Sequence, residues 1–219
     1  MSLSSTILEV FFPSKCLSCG LKNTDLCPKC LNESPSAERE SAHWIFPLFD
    51  YRHPPIKKAI SLLKYKGKKR IAENFGEVLY DRMLEEISEL VIMENFKESL
   101  LIPIPLSRKR LRERGYNQAE LICKKLIEIN NLRHGIDTKL GNNILIKIKD
   151  EKHQAHINDR RERLKNIIGS FAIKNPEAIK SKNIILIDDV TTTGATLEEA
   201  KKTLKKAGAR KIIAFTLAH

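Results

Sequence analysis

Long apolar runs, aromatic residues and acidic charge are all scarce in this sequence. Of its 219 residues only 6% are aromatic, and 27 acidic residues stand against 39 lysines and arginines. No apolar run approaches the roughly 20 residues that cross a bilayer. The first residues, MSLSSTILEVFFPSKC, have no basic segment before their apolar stretch and no small-residue cleavage site after it. We therefore expect a cytoplasmic protein with no secretory leader and no membrane insertion.

The rest of the composition favours a globular protein with a phosphate-bearing partner. Apolar residues make up 42% of the chain. A chain of this length can bury the core of one ordinary domain plus a small appendage. The formal net charge of +12 favours nucleic acids, nucleotides or anionic lipids, without choosing among them.

Four of the five cysteines lie in the stretch CLSCGLKNTDLCPKC, as two C-x2-C pairs. Two such pairs complete the shell of four thiolates that zinc prefers, and because no coordination position stays open, the predicted Zn2+ is structural. Two disulfides or chance clustering are the alternatives, and a reducing cytoplasm disfavours disulfides. The interpretation as a redox-active C-x-x-C motif is weaker still, since neither pair lies between a strand and a helix. The predicted ligands are Cys16, Cys19, Cys27 and Cys30.

The remaining cysteine and the segment after the pairs need no metal. Cys123 lies in an apolar helical pattern and is predicted to be a packed core thiol. The polar stretch LNESPSAERESAH after Cys30 is typical of a linker. We therefore divide the chain into an N-terminal helix, zinc-binding module and linker over 1–43, and a second domain over 44–219.

Strand-like and helical patterns alternate through this second domain. NIILIDDV is continuously apolar before its acids, as in a strand covered on both faces. An apolar helix face then follows, Gly208 ends that helix, and RKIIAFTLA is the next strand. The alternation predicts an α/β fold with a parallel sheet. The helix face consists of Leu197, Ala200, Leu204 and Ala207.

The stretch IILIDDVTTTGAT is the strongest candidate for a ligand site. It brings Asp188 and Asp189 to the carboxyl end of a buried strand, where ligands bind in open parallel sheets. Backbone amides of 192–196 then precede a helix and can cradle a phosphate, and Gly194 allows close approach of the backbone. The two carboxylates can accept hydrogen bonds from hydroxyl groups, and the backbone amides beside them can donate to a phosphate. A sugar phosphate carries both of these groups. The alternative is a helix N-cap with two capping or salt-bridged acids.

The same stretch resembles the signature with which type I phosphoribosyltransferases bind 5-phosphoribosyl 1-pyrophosphate (PRPP). The resemblance implies their parallel-sheet α/β fold, preceded here by a small zinc knuckle or ribbon module. It also implies that Asp188 and Asp189 hold the ribose 2- and 3-hydroxyls and that Mg2+ accompanies PRPP. The loop that binds the 5-phosphate would consist of Thr191, Thr192, Thr193, Gly194, Ala195 and Thr196.

Three further segments resemble the ComF competence family, whose members join a four-cysteine zinc module to a phosphoribosyltransferase-like domain. They are PIPLSRKRLRERGYNQAE at 103–120, LLKYKG at 62–67 and ERLKNIIGSF at 162–171, and the resemblance covers nearly the whole chain. One departure is visible, because the glutamine-to-arginine spacing over 154–163 is one residue longer than the family's usual spacing. It leaves the roles of His153, Gln154 and His156 open.

The basic residues of these segments are candidates for binding the pyrophosphate of PRPP. Five cations crowd the seven positions 108–114, which is repulsive unless they are solvated or neutralised by anions. We interpret the segment as a flexible basic loop that closes on pyrophosphate, or alternatively as a solvated helix entrance. The lysines within 64–67 resemble the segment of the family that contacts pyrophosphate. Alternatively, they form a lysine-rich helix end, which the helix dipole favours. The candidates are Lys64, Lys66, Gly67, Arg108, Arg110, Arg112 and Arg114, while Tyr116 and Gln118 are predicted to cap or pack the next helix.

One function implied by this resemblance is enzymatic. Mg2+-dependent transfer of ribose 5-phosphate from PRPP to an acceptor would use Asp188 and Asp189 as catalytic residues that stabilise the cationic sugar. The arginines would offset the charge of the leaving pyrophosphate. Any hood over the site is expected from the N-terminal half of the chain, with the zinc module as a candidate.

Two alternatives belong to other classes. The protein could bind PRPP and single-stranded DNA during uptake in natural transformation, beside helicase-type competence proteins, as the family's association with competence implies. The net charge agrees with DNA binding, although only Tyr116 accompanies the arginine cluster and no aromatic platform is apparent. In the last alternative the zinc module mediates interactions and the PRPP site is vestigial.

Overall fold

The computed structural model describes residues 14–38, 41–149 and 167–219. Five parallel strands form the main sheet in the order β1-β7-β6-β2-β3. These strands are β1 (Ile45–Phe49), β2 (Ser99–Pro103), β3 (Thr138–Leu140), β6 (Asn183–Val190) and β7 (Ile212–Ala218). Two further strands, β4 (Leu145–Lys147) and β5 (Phe171–Ile173), form a separate antiparallel ribbon. The parallel α/β prediction is confirmed by the main sheet.

Helices cover both faces of the sheet. They are α1 (Pro28–Asn32), α2 (Pro54–Tyr65), α3 (Arg70–Glu94), α4 (Arg108–Arg114), α5 (Gln118–Arg133) and α6 (Ala195–Lys206), with a 3-10 turn at Pro176–Ile179. One core cluster joins α2, α3 and α5 to Ile185 and Ile187 of β6, and the other joins α6 to Ile184 and Leu186. Strand β6 is therefore covered on both faces, as its apolar run predicts. In the described parts of the chain no helix is long and apolar enough to span a bilayer.

The cysteine segment packs against the sheet domain. Leu26 and Leu31 are fully buried and belong to the same core cluster as α2 and α3. The Asn74 side-chain amide donates to the Leu26 carbonyl at 2.6 Å, and the Arg70 guanidinium donates to the Asn23 carbonyl at 2.9 Å. The boundary predicted near residue 43 stays a prediction, and apolar contacts between the two sides of that boundary are extensive.

Strand register aligns the carboxyl ends of the three central strands. Asp188 of β6 lies opposite Thr216 of β7, and Ile187 lies opposite Pro103 of β2. The Ile104 amide continues the ladder by donating to the Ile187 carbonyl at 2.9 Å. The ends of β2, β6 and β7 thus form one edge, where ligands bind in open parallel sheets.

Candidate functional site

The two acids at the end of β6 point to opposite faces of the sheet, because successive strand side chains alternate. Asp189 is buried and follows Ile185 and Ile187 on the face covered by α2. Lys64, in the last turn of α2, places its Nζ 2.8 Å from Asp189 Oδ1. Asp189 Oδ2 is buried with no hydrogen-bond partner among the described residues. A buried carboxylate oxygen without a donor is costly, so this atom suits a ligand hydroxyl or a cation.

Asp188 lies on the other face and is only partly exposed. Burial and the adjacent charge of Asp189 raise the pKa of Asp188 to about 7. The Asp189 amide, which donates to Asp188 Oδ1 at 2.8 Å, and the charges of Lys64 and Lys147 oppose this shift. A cation or a hydroxyl donor arriving here would favour the ionised carboxylate.

The predicted phosphate loop connects β6 to the start of α6. It is anchored by the Thr191 amide, which donates to the Ala218 carbonyl at 3.0 Å. Gly194 caps α6 with φ 73°, a backbone conformation that side chains disfavour. Five loop residues, 191–195, line a cavity of about 410 Å³ together with Ser41, Ala42, Ile45, Ile167, Ile168, Glu198, Glu199 and His219. Thr196 lies one residue inside the helix and is not among the lining residues.

His219 is a site residue that the sequence analysis missed. Its Nε2 lies 2.9 Å from the Thr192 carbonyl, which only accepts, so Nε2 donates. Its Nδ1 lies 3.2 Å from the Ser41 hydroxyl, and its backbone pairs with Phe49 and Tyr51. The imidazole thereby fixes the loop to the rest of the domain. No local pattern marks this role, because its partners are distant in the chain.

A second cavity lies on the Lys64 side of the acid pair. It has a volume of about 390 Å³. Four of the candidate pyrophosphate residues come together in its wall, while Arg108 lines a different cavity, and Lys66 and Arg112 are exposed and line neither of these. The wall consists of Lys64, Tyr65, Gly67, Arg110, Glu113, Arg114 and Tyr116.

The arginine-rich segment forms the short helix α4, where the sequence analysis favoured a flexible loop. The Ser107 hydroxyl caps it by accepting from the Arg110 amide at 3.4 Å, and Gly115 ends it with φ 74°. Glu113 offsets part of the charge, lying 4.0 Å from Lys109 Nζ. Helical spacing sets Arg110 and Arg114 on one face, toward the cavity. The secondary structure of this segment is therefore that of the alternative interpretation, a helix entrance, and not that of a loop.

The residues after α4 link three elements at the site. The Tyr116 hydroxyl donates to the Leu63 carbonyl of α2. Asn117 donates to the Ile104 carbonyl at 3.0 Å and caps α5 by accepting from the Ala119 amide at 3.0 Å. Gln118 is buried and accepts from Arg114 at 3.0 Å. Gln118 thus packs as the buried first residue of α5, whereas Tyr116 bonds to α2 and the cap of α5 is Asn117.

Tyr65 adds an aromatic surface that the sequence does not reveal. It is 66% exposed, and the Arg114 guanidinium lies 4.9 Å from its ring centroid. Lys69 Nζ lies 5.3 Å from the ring centroid of Tyr116. The arginine helix therefore has two neighbouring tyrosines instead of one. The Tyr65–Arg114 contact joins residues 49 positions apart, so only the fold creates it.

The four predicted cysteine ligands converge. Their sulfur atoms all lie within 4.8 Å of one another, and all are free thiols. Burial opposes ionisation of Cys16, but backbone donors led by Cys27 outweigh it and lower the pKa of this thiol to about 6. A hydrogen bond from Ser18 favours the Cys30 thiolate, yet the neighbouring thiols raise its pKa to about 12. The cluster could hold a metal ion, and a cation would be needed for all four to ionise.

The fifth cysteine lies in the core, away from the four-cysteine cluster. Cys123 is fully buried, and burial raises its pKa well above the usual value. It is the core thiol that the sequence predicts. His153, Gln154 and His156 lie outside the described residues, as do 162–166 of the ERLKNIIGSF motif.

The chain is similar in sequence to several known proteins. The phosphoribosyl transferase domain family matches residues 144–219. Competence protein F of Haemophilus influenzae is 30% identical over 199 residues, which cover 88% of this chain and 77% of that protein. The DNA utilization protein YhgH of Salmonella typhimurium is 26% identical over 212 residues, covering 93% and 83%. A hypoxanthine phosphoribosyltransferase structure from Trypanosoma cruzi aligns with TM-score 0.40 at 9% identity, covering 68% and 67%.

Proposed function

Since this chain belongs to the competence protein F family, we propose that it binds PRPP and acts in DNA uptake during natural transformation. The family match supports the role, and the edge formed by β2, β6 and β7 supports the ligand. The observation on which the proposal chiefly rests is the pair Asp188–Asp189, with a loop and a helix start on one side and a cationic cavity on the other.

Each part of PRPP has a complementary group in this arrangement. The ribose hydroxyls donate to the two carboxylates, including the buried Asp189 Oδ2 that has no described donor. The 5-phosphate takes the cavity lined by 191–195, near the positive end of α6. The pyrophosphate takes the cavity that holds Lys64, Arg110 and Arg114, where three cations offset its charge.

Mg2+ fits the donor set at this edge. Carboxylate oxygens and substrate phosphates are the ligands that this ion prefers, and Asp188 and Asp189 offer two carboxylates. When bound, the ion would supply charge that stabilises the leaving pyrophosphate. The chain's own part is to hold the sugar through the acids and the diphosphate through the cations.

In the enzymatic form of this proposal, the C1–oxygen bond of PRPP breaks, pyrophosphate takes the electron pair, and an acceptor nucleophile bonds to C1. The carboxylates of Asp188 and Asp189 electrostatically favour the cationic sugar that develops. The Lys64 ammonium group lies 2.8 Å from Asp189 Oδ1 and also lines the cavity proposed for pyrophosphate. It can therefore stabilise the negative charge that develops on the leaving group. The cysteine module remains the proposed candidate for a hood over the acceptor.

Calorimetric titration tests binding first. PRPP with Mg2+ is titrated into the wild-type protein and into Asp188→Asn/Asp189→Asn. We expect saturable binding by the wild type and a loss of about 100-fold or more in the variant, because two charged hydrogen-bond acceptors are removed. Equal binding by both proteins, or binding by neither, contradicts the proposed site. Pyrophosphate release with candidate bases then separates an enzyme from a non-catalytic binder.

Direct binding of single-stranded DNA is the second candidate function, and the exposed Tyr65 beside Arg114 favours it. Bases stack on aromatic rings, and arginine adds contacts to the bases and the phosphates. The net charge of +12 adds non-specific affinity. We expect Tyr65→Ala to weaken binding of an oligothymidine more than Tyr51→Ala, measured by fluorescence anisotropy at several salt concentrations. Binding that neither depends on salt nor responds to Tyr65→Ala argues against this surface.

For the cysteine cluster we propose a structural zinc ion. Four thiols of mutually compatible spacing match the shell that zinc takes in closed sites. Zinc binding requires reduced thiols, so we propose a cytoplasmic location together with this site. Helicase-type competence proteins are proposed as partners from the family relation.

A further inference from the structure

A separate cavity of about 390 Å³ lies at the opposite end of the sheet from the acid pair. Its apolar floor is formed by Phe46 near the start of β1, Leu90 of α3, and Ile212 at the start of β7. Trp44, the single tryptophan of the chain, also lines it. Because parallel strands begin at this end and carry the candidate PRPP site at the other, the two cavities are spatially separate.

Three lysines form the rim of this cavity. Lys201 Nζ lies 4.0 Å from the ring centroid of Trp44. Lys211 pairs with Glu94, and Lys205 donates to the Arg210 carbonyl, so both ammonium groups are held in place. Three positive charges and one negative charge thus surround the apolar floor. Partial burial lowers the pKa of Lys201, as expected of an ammonium group that lacks full hydration.

The apolar surface continues beyond the cavity. Met93, three residues after Leu90 on α3, is 79% exposed. Helical residues three apart are neighbours on the surface, so this exposed side chain is expected near Leu90, which lines the cavity. A ligand with both an apolar group and carboxylates matches the combination of floor, rim and flank.

We propose that this cavity binds an acidic peptide segment of a partner protein, with one apolar side chain on the floor and carboxylates at the three lysines. Charge complementarity with Lys201, Lys205 and Lys211 argues for an anionic partner. Lys201 already covers one face of the Trp44 ring, which leaves that face closed to a stacking base. An acidic peptide with an apolar side chain therefore matches the floor and the rim better than a stacked base does.

The fluorescence of Trp44 reports binding directly. The probe is acetyl-Asp-Asp-Leu-Phe-Asp-Asp-amide, titrated into the full-length protein at low and high salt. We expect a saturable change in Trp44 emission whose affinity falls with salt. The peptide with Leu and Phe replaced by Ser is expected to bind at least about tenfold more weakly, since its apolar anchor is lost.

Matched variants on α6 locate the site. Lys201→Gln/Lys205→Gln removes two rim charges, whereas Lys202→Gln/Lys206→Gln removes two exposed charges outside the cavity. We expect the first to weaken a fluorescein-labelled probe about tenfold by anisotropy and the second to change affinity less than about twofold. Equal weakening by both variants would show general attraction to a basic protein and overturn the proposal. Stronger binding of an oligothymidine than of the peptide at Trp44 would overturn it as well.

Discussion

At the residue scale, the electrostatics of the acid pair are the main feature of the candidate site. Asp189 is compensated by Lys64, whereas Asp188 has a raised pKa of about 7 and its own neighbouring carboxylate. The free protein therefore holds one acid that resists ionisation near neutral pH. Binding sites commonly sacrifice stability in this way, and the ligand restores it.

Stability should depend on pH through Asp188. Its folded-state pKa of about 7 lies above the unfolded value of about 4. The folded protein therefore binds the proton more tightly, and this group lowers stability as pH rises from about 4 to about 7. Asp188→Asn stays neutral, so it should be more stable than the wild type by about 1 to 3 kcal/mol at pH 8.

Urea unfolding of both proteins at pH 5 and pH 8 measures this difference. The gain from Asp188→Asn should shrink at pH 5. Asp81→Asn, at an exposed acid paired with Arg133, is the control and should give no gain at pH 8. A variant that is less stable than the wild type at pH 8 contradicts the assigned environment.

Lys64 and Asp189 should be strongly coupled. Lys64→Met leaves a buried carboxylate without its cation, so we expect a loss of about 2 to 4 kcal/mol in the free energy of unfolding. Asp189→Asn in the same chain should recover much of that loss. A double-mutant cycle by urea unfolding gives the coupling energy directly. A coupling below about 0.5 kcal/mol would mean that solvent screens the pair.

At the element scale, short segments between helices set the geometry of the site. Asn117 caps α5 and also bonds to the carbonyl that follows β2, while Tyr116 bonds to the end of α2. These contacts hold α4 against the last turn of α2, which carries Lys64. Tyr116 and Asn117 thus have a structural role, while Arg110 and Arg114 supply positive charge to the cavity wall.

Removing the Asn117 side chain should loosen this link. Asn117→Ala loses a helix cap and a buried hydrogen bond, for which we expect a cost of about 1 to 3 kcal/mol. Asn131→Ala, at an exposed position inside the same helix, should be neutral or slightly stabilising. Thermal unfolding followed by circular dichroism compares them. Similar effects of the two substitutions would deny Asn117 its linking role.

At the scale of the whole molecule, the cysteine module and the sheet domain share one core. Cys27, Leu26 and Leu31 belong to the apolar cluster that includes α2 and α3. Asp25 Oδ1 of the module lies 3.4 Å from Lys68 Nζ, in the turn after the pyrophosphate candidates. Loss of metal at the cysteines should therefore affect the entire protein and not the module alone.

Cys27→Ser should lower both metal content and global stability. We expect about one zinc per chain in the wild type and almost none in the variant, with Tm lower by about 5 to 10 °C in a single transition. Cys123→Ala, at the core thiol outside the cluster, should keep its zinc. Metal analysis and calorimetry make the measurements. A separate early transition would show that the module unfolds on its own.

The sequence by itself determined the elements and the chemistry that local pattern encodes. Continuous apolar character marked β6, helical spacing and Gly208 marked α6, and the C-x2-C spacing marked the cysteine cluster, because each depends on neighbours in the chain. The acids at the end of β6 were predictable for the same reason.

Only the tertiary structure decided which distant side chains meet. It paired Lys64 with Asp189, brought Tyr65 to Arg114, set His219 against the phosphate loop, and separated Arg108 and Arg112 from the cavity that holds Arg110 and Arg114. It also formed a helix where a loop was favoured. These outcomes depend on packing, strand register and burial, which couple residues far apart in the chain and leave no periodic trace in the sequence.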